Sequence, residues 1–287
     1  MNILENVYIK DKDKLNNKIK QIKEDGKDKL HIISDFDKTL TKVFLQDIKY
    51  RSAIAQIRDG GYLENNYPRR SEALYEKYYP IEINPNIPFE EKKEKMLEWW
   101  STHIKMQVEC GLNISVVNEI NNKRNIKLRE GVIETFNLLN ENNIPILILS
   151  SAVGDFIEFV IKDNNIFYPN IHIITNFYNY DDAGKVIGYK DKVIHNFNKN
   201  EAAIKETPHF DKTKDRPNVL LFGDSLNDIK MIEGVDHKTV IFVGFLNNKI
   251  EERLELFKDK YDIVITNDGS FEQILELLKE ILWVYGW

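Results

Sequence analysis

Five short apolar runs, each ending in polar or turn-forming residues, constrain this chain more than any other feature. They occupy residues 30–34, 146–149, 219–222, 240–243 and 263–265. A run without polar alternation must be covered on both faces, as in a parallel sheet between helical layers. The stretches between several of them carry helical periodicity. Val132, Phe136 and Leu139 share one face, Phe156, Phe159 and Val160 another, and residues 271–282 a third. The alternation predicts an α/β fold with a largely parallel sheet. A helix is expected over residues 1–28, centred on Leu15, Ile19 and Ile22. A strand is expected at 171–174, a hairpin at 177–189 turning at Asp182-Ala183-Gly184, and a helix near Glu201.

Residues 43–128 do not fit the alternation. They are too long for an ordinary crossover and carry helical patterns such as Met96, Leu97, Trp100, Ile104 and Val108. This segment is read as a mainly helical cap inserted into the core, which comprises residues 1–42 and 129–287. The cap is the part expected to set substrate specificity.

Composition narrows the function classes. A net charge of -6 provides no general attraction for nucleic acid or anionic lipid. Cys110 is the single cysteine, which rules out an intrachain disulfide. The first residues, M-N-I-L-E-N-V-Y-I-K-D-K, lack a signal-peptide apolar core, and no window is apolar enough to span a bilayer. The expectation is a cytoplasmic monomer that acts on a small molecule, with neither nucleic acid nor membrane as partner.

Three of the apolar runs end in oxygen-bearing groups: Asp35-Phe36-Asp37, Ser150, and Gly223-Asp224. Ligands of open α/β sheets bind beyond the carboxyl ends of the strands. Side by side, these ends would gather several carboxylates, whose repulsion calls for a cation. Oxygen donors favour Mg2+ over zinc or copper. Carboxylates with Mg2+ suit phosphoryl transfer, with one Asp attacking phosphorus and a second acid handling protons. The plainer alternative is that Asp35 and Asp37 are loop acids capping the next helix.

The ordered set D-F-D-K-T (35–39), Ser150 after I-L-I-L, Lys199, and G-D-S-L-N-D (223–228) resembles the four motifs of haloacid dehalogenase superfamily phosphatases. Further segments are K-Y-Y-P-I-E (77–82), E-W-W (98–100), N-F-Y-N-Y-D-D-A-G-K-V-I-G-Y-K (176–190), H-N-F-N-K (195–199) and Y-D-I-V (261–264). They are similar to one branch, the cytosolic pyrimidine 5'-nucleotidase family, some of whose members act on 7-methylguanosine monophosphate. The resemblance implies a Rossmann-like core with a helical cap.

It also implies roles. Asp35 would be the nucleophile and a Mg2+ ligand. Asp37 would be the acid/base and hold the metal through its backbone carbonyl. Asp224 would be the third metal ligand, supported by Asp228, Thr39 and Ser225. Ser150, Ser151 and Lys199 would hold the phosphate, and Glu82 the nucleobase. Trp99, with His103 one turn further on, is read as a base contact. The second motif departs from the branch's S-A-G-[IL]-G-D by reading S-S-A-V-G-D, and His103 stands where many relatives have a small residue. The expected function is Mg2+-dependent hydrolysis of pyrimidine nucleoside 5'-monophosphates such as CMP and UMP through an aspartyl-phosphate, with nucleoside phosphotransfer as a side activity. The alternatives are a 7-methylguanosine monophosphate 5'-nucleotidase, a phosphoserine-type phosphatase, and a catalytically silent nucleotide-binding protein.

Overall fold

A computed structural model describes residues 4–45, 48–49, 51–200, 205 and 207–282. The helix expected near Glu201 lies outside the described residues. The elements run in the order β1 (Val7–Tyr8), α1 (Lys12–Asp25), β2 (Leu30–Ser34), β3 (Phe44–Leu45), β4 (Ile48–Lys49), α2 (Ala53–Asp59), α3 (Tyr67–Ile83), α4 (Phe89–Glu109) and α5 (Ile114–Asn122). There follow α6 (Val132–Glu141), β5 (Ile146–Val153), α7 (Gly154–Asp163), β6 (Ile171–Asn176), β7 (Tyr178–Tyr180), β8 (Val186–Tyr189) and α8 (Pro208–Thr213). The chain closes with β9 (Asn218–Gly223), β10 (Thr239–Leu246), α9 (Ile250–Lys260), β11 (Ile263–Thr266) and α10 (Glu272–Leu282).

Seven strands form the central sheet in the order β1-β11-β10-β9-β2-β5-β6. Every pairing is parallel except β1 with β11, which is antiparallel. The apolar runs are two-sided, as their composition demands. Ile32, Leu220, Ile241 and Ile263 face a layer built from Phe136 of α6 and Leu277 of α10. Their neighbours Ile33, Leu221 and Leu147 face the opposite layer with Met231. The result is an α/β fold with a largely parallel sheet between two apolar layers.

Two features differ from the sequence reading. The two-residue strand β1 is too short to register as a pattern. Strand β5 continues past Leu149 through Ser150 to Val153, with a register shift against β6 between Leu149 and Val153. Ser150 and Ser151 fall within this irregularity.

Between β2 and α6 the chain runs through β3, β4 and helices α2 to α5, the segment expected to form a cap. Ile57, Tyr67, Ile104, Met106, Leu112, Val117 and Ile120 share one apolar cluster with Val153, Phe156, Tyr178 and Val186. The β7–β8 hairpin therefore packs on the cap helices although it lies in the later part of the chain. Val186 N–H donates to the Leu112 carbonyl at 3.0 Å, and Ile114 N–H to that of Gly184 at 2.8 Å. The two crossings between core and cap pair with each other. Thr41 bridges Leu128 in antiparallel fashion, Lys42 N–H donates to the Lys127 carbonyl at 2.9 Å, and Arg129 N–H to that of Leu40 at 2.9 Å. Among the described residues, no helix is long and apolar enough to cross a membrane.

Candidate active site

The centre of the sheet decides where the acids meet. Strand β2 lies between β9 and β5, and the pairing continues past its end, where Asp35 N–H donates to the Phe222 carbonyl at 3.0 Å. Asp35 is buried and Asp37, two residues on, is half-buried. Strand β9 ends in Gly223, and the turn behind it delivers Asp224 and Asp228 to the same place. A side chain at Gly223 would collide with Asp228, since its Cβ would lie 2.4 Å from that residue's Cβ. Only glycine lets the turn fold so tightly.

One buried cation ties the cluster together. Lys199 Nζ donates to Asp35 Oδ1 at 2.6 Å and to Asp228 Oδ1 at 2.9 Å. The other oxygen of Asp228 accepts the backbone N–H groups of Asp224, at 3.0 Å, and Ser225, at 2.9 Å. Both Asp228 oxygens are thus engaged, which suits a supporting role. Thr39 Oγ1 donates to Asp35 Oδ2 at 3.4 Å. Side-chain oxygens of Asp35, Asp224 and Asp228 lie within 4.8 Å of one another.

The charges do not balance internally. Burial raises the pKa of Asp35, with Lys199 opposing and Asp228 and Asp37 adding to the rise. Burial also raises Asp224, with Lys38 opposing and Asp228 adding, and it raises Asp37. Burial disfavours charge on Lys199, but Asp228 and Asp35 outweigh it and hold the amine protonated. Such a cluster is stabilised by a further cation, and all its donors are oxygens. These residues could hold a metal ion, and the donor set fits a hard divalent one.

The remaining site candidates divide into two groups. Ser150 is buried within β5, the strand beside β2, and its Oγ accepts the Ala152 N–H at 3.2 Å. Ser151 Oγ donates to Asn196 Oδ1 at 3.1 Å, and Asn196 Nδ2 donates to Glu82 Oε1. This chain of contacts links Glu82, at the end of α3, to Ser151 of β5. Burial raises the Glu82 pKa, with Asn196, Lys38 and Lys92 opposing.

Trp99 and His103 make up the second group, both on α4. Trp99 stacks on Tyr78 at 5.7 Å between ring centroids and meets Tyr75 edge-on at 6.1 Å. His103 is buried, with Nε2 2.9 Å from the Tyr67 hydroxyl. Both line a cap cavity of about 90 Å³ with Ile54, Arg58, Ser71, Tyr75 and Trp100.

Burial, reinforced by the charge of Arg58, lowers the His103 pKa from 6.5 to about 4. The folded protein therefore holds this ring neutral while the unfolded chain protonates it first. The stabilisation is complete above pH 6.5 and is lost progressively as pH falls toward 4, by roughly 3 kcal/mol. Urea unfolding across that range is expected to show the loss, and His103→Gln is expected to flatten it. An equal slope in variant and parent would assign the acid sensitivity to other groups.

Several participants were missed by the sequence reading. Lys38 follows Asp37 directly, and its pKa is raised by Asp224, with burial opposing and Asp37 and Asp35 adding. Its place inside D-F-D-K-T is a signal that chemistry alone could have used. Asn196 links cap to core from a polar loop. Arg129 is wholly buried beneath the Asp35–Thr39 loop, yet in sequence it is one more charged residue before a helix.

Comparison with known proteins agrees with this geometry. A protein 34% identical over 262 residues, 91% of this chain and 87% of its own length, is the human 7-methylguanosine phosphate-specific 5'-nucleotidase. The crystal structure of cytosolic 5'-nucleotidase IIIB bound to cytidine superposes with a TM-score of 0.87 at 28% identity, covering 97% of this chain and 94% of that one. A HAD family hydrolase from Salmonella enterica serovar Typhi shares the fold alone, with a TM-score of 0.55 at 14% identity over 90% of this chain and 72% of that one. The family model described as pyrimidine 5'-nucleotidase (UMPH-1) matches residues 38–282. The chain belongs to the pyrimidine 5'-nucleotidase family and is a 5'-nucleotidase of the haloacid dehalogenase type.

Proposed function

We propose that this enzyme hydrolyses 7-methylguanosine 5'-monophosphate to nucleoside and phosphate, with pyrimidine nucleoside monophosphates as a second substrate class. The chemistry rests on one observation: Asp35 and Asp228 share Lys199 at the centre of the sheet, and an Asp224 oxygen lies within 4.8 Å of theirs. The choice of base rests on relatives from human, chicken and frog named for 7-methylguanosine phosphate, at 33–34% identity. This favours the purine reading over the pyrimidine preference expected from the sequence. The pyrimidine class is supported by the family description and by the cytidine bound to the structural relative. The cytosolic naming of that relative supports a cytoplasmic location.

In this reading Asp35 Oδ attacks phosphorus as the P–O5′ bond breaks. Asp37 delivers a proton to the leaving 5′-oxygen, and the nucleoside departs. Asp37 then takes a proton from water, which attacks the aspartyl-phosphate and frees Asp35 and inorganic phosphate. A nucleoside hydroxyl in place of that water gives phosphotransfer. Lys199 neutralises phosphate charge and holds Asp35 in line. Ser150 and Ser151 donate to phosphate oxygens. Asp35, the Asp37 carbonyl and Asp224 would hold Mg2+, which when bound screens the charge of the incoming phosphate.

Glu82 deepens the assignment. A 7-methylated guanine is cationic and presents N–H donors, and a half-buried carboxylate matches both properties. Glu82→Ala is expected to lower kcat/KM for 7-methyl-GMP about 10- to 100-fold, the scale of one hydrogen bond to a charged group. Turnover of p-nitrophenyl phosphate, which has no base, should hardly change. Equal losses on both substrates would remove Glu82 from base recognition. The direct test is Mg2+-dependent phosphate release from 7-methyl-GMP, CMP, UMP, dTMP, AMP, GMP and phosphoserine. Preference for 7-methyl-GMP supports the reading. Preference for CMP or UMP moves the enzyme to the pyrimidine class, and release from phosphoserine alone would overturn the reading of the cap.

A further inference from the structure

Arg129 occupies a position that neither the motifs nor the reaction described above accounts for. Its side chain is fully shielded from solvent, and a buried guanidinium is costly unless all its donors are matched. They are matched. Nε donates to the Thr39 carbonyl at 2.8 Å, and Nη2 to the Lys38 carbonyl at 2.6 Å and to Asn247 Oδ1 at 3.0 Å. Nη1 donates to the Gly269 carbonyl at 2.8 Å and pairs with Asp268 Oδ1 at 2.9 Å. The guanidinium carbon also lies 4.5 Å from the centre of the Phe245 ring.

Three loops converge on this one group. The first is the Asp35–Thr39 loop, where Lys38 takes a left-handed φ of 60° that a residue with a side chain holds only under constraint. Asn247 Nδ2 donates to the same Lys38 carbonyl at 3.1 Å. The second is the turn after β11, where Asn267 and Asp268 have φ of 56° and 53°. The third follows β10 and carries Asn247, and Asp268 of the second in turn accepts the Val43 N–H at 2.8 Å and the Phe44 N–H at 3.1 Å from the first crossing into the cap. Arg129 itself stands on the second crossing. A cation here thus gathers the backbone that carries Asp37 and both connections to the cap.

We propose that Arg129 is a positioning residue for the reaction: it clamps the Lys38 and Thr39 carbonyls, fixes the direction of Asp37, and with Asp268 ties that loop to both cap linkers. The inference rests on the assignment of Asp35 as nucleophile and Asp37 as acid. An apolar residue of similar size could fill the space but could not hold carbonyls of three loops at once. Lysine could keep the charge but not the planar fork.

The test compares Arg129→Lys and Asn247→Ala with the parent on whichever nucleotide the parent hydrolyses best, counting active sites by phosphoenzyme formed. Arg129→Lys is expected to lower kcat per active site about 10- to 100-fold, with KM within about threefold, as misplacement of a reacting group does. Amide hydrogen exchange should accelerate in residues 37–44 while β2 and β9 stay protected. Unchanged kcat per site, or exchange that rises equally across the whole sheet, overturns the proposal. If Arg129→Lys does not fold, Asn247→Ala decides. It removes one hold on the Lys38 carbonyl and should lower kcat about 3- to 10-fold with local exchange in the same segment, on the scale of one hydrogen bond. No change in either overturns the clamp. Asp35→Asn run alongside separates the two levels. Persistent turnover in that variant would remove the assignment of the nucleophile, whereas a silent Asp35→Asn with an unaffected Arg129→Lys would remove only the clamp.

Discussion

Asp35→Asn is expected to abolish phosphate release, by about four orders of magnitude or more, and to leave no phosphoenzyme. The amide keeps the shape of the side chain but lacks the anionic oxygen that attacks phosphorus. Stability should respond quite differently. Burial pushes the pKa of Asp35 up, with Lys199 opposing and repulsion from Asp228 and Asp37 adding to the rise. Removing its charge loses one contact with Lys199, which keeps its 2.9 Å contact with Asp228, and relieves repulsion with Asp224 and Asp228. These effects oppose each other, so unfolding free energy in chelator should change by no more than about 1 kcal/mol. Acid-quenched labelling from a radioactive nucleotide reads the first expectation and urea unfolding the second. Residual turnover above about one percent of the parent, with label still bound, would place the nucleophile elsewhere.

Lys199→Met should be the more damaging change to the folded state. The methionine fills similar space, but Asp35 and Asp228 lose the cation they share. Breaking a buried ion pair by removing one partner typically costs about 3–5 kcal/mol, and that loss is expected in urea unfolding at pH 7.5 with chelator present. The sign with pH follows from the raised carboxylates. Without Lys199 they should rise further, so as pH falls they take up protons, the uncompensated charge disappears and the deficit shrinks. Divalent cations should restore part of the loss at neutral pH, because only the folded state presents the converging oxygens. Activity should fall about 10²- to 10³-fold, the scale for removing one group that stabilises developing charge. A deficit indifferent to both pH and Mg2+ would mean that Lys199 acts by packing rather than by charge.

The positions of the acids were legible because chemistry and pattern coincide there. Asp35 and Asp224 each follow a wholly apolar strand, and in a parallel sheet such strand ends share one edge. Lys199 was legible only through the order of the motifs, since nothing in its polar neighbourhood distinguishes it from a surface lysine. Asp228 was read as a support, and both of its oxygens are engaged by Lys199 and two backbone N–H groups. Trp99 and His103 were placed together by helical spacing, and the structure puts both on one cap cavity. Spacing on a helix reports which side chains share a face, not what that face meets.

By itself, the amino-acid sequence determined the alternation of buried strands and helices, the interruption by a helical segment, and the acids at the strand ends. All of these follow from local periodicity and from the free-energy cost of burying charge. Tertiary structure alone decided that the β7–β8 hairpin packs on the cap, that Glu82 reaches Ser151 through Asn196, and that Arg129 gathers three loops. Those contacts join residues tens to more than a hundred positions apart. Their side chains are of types that elsewhere face water, so only the folded surroundings make them parts of the site.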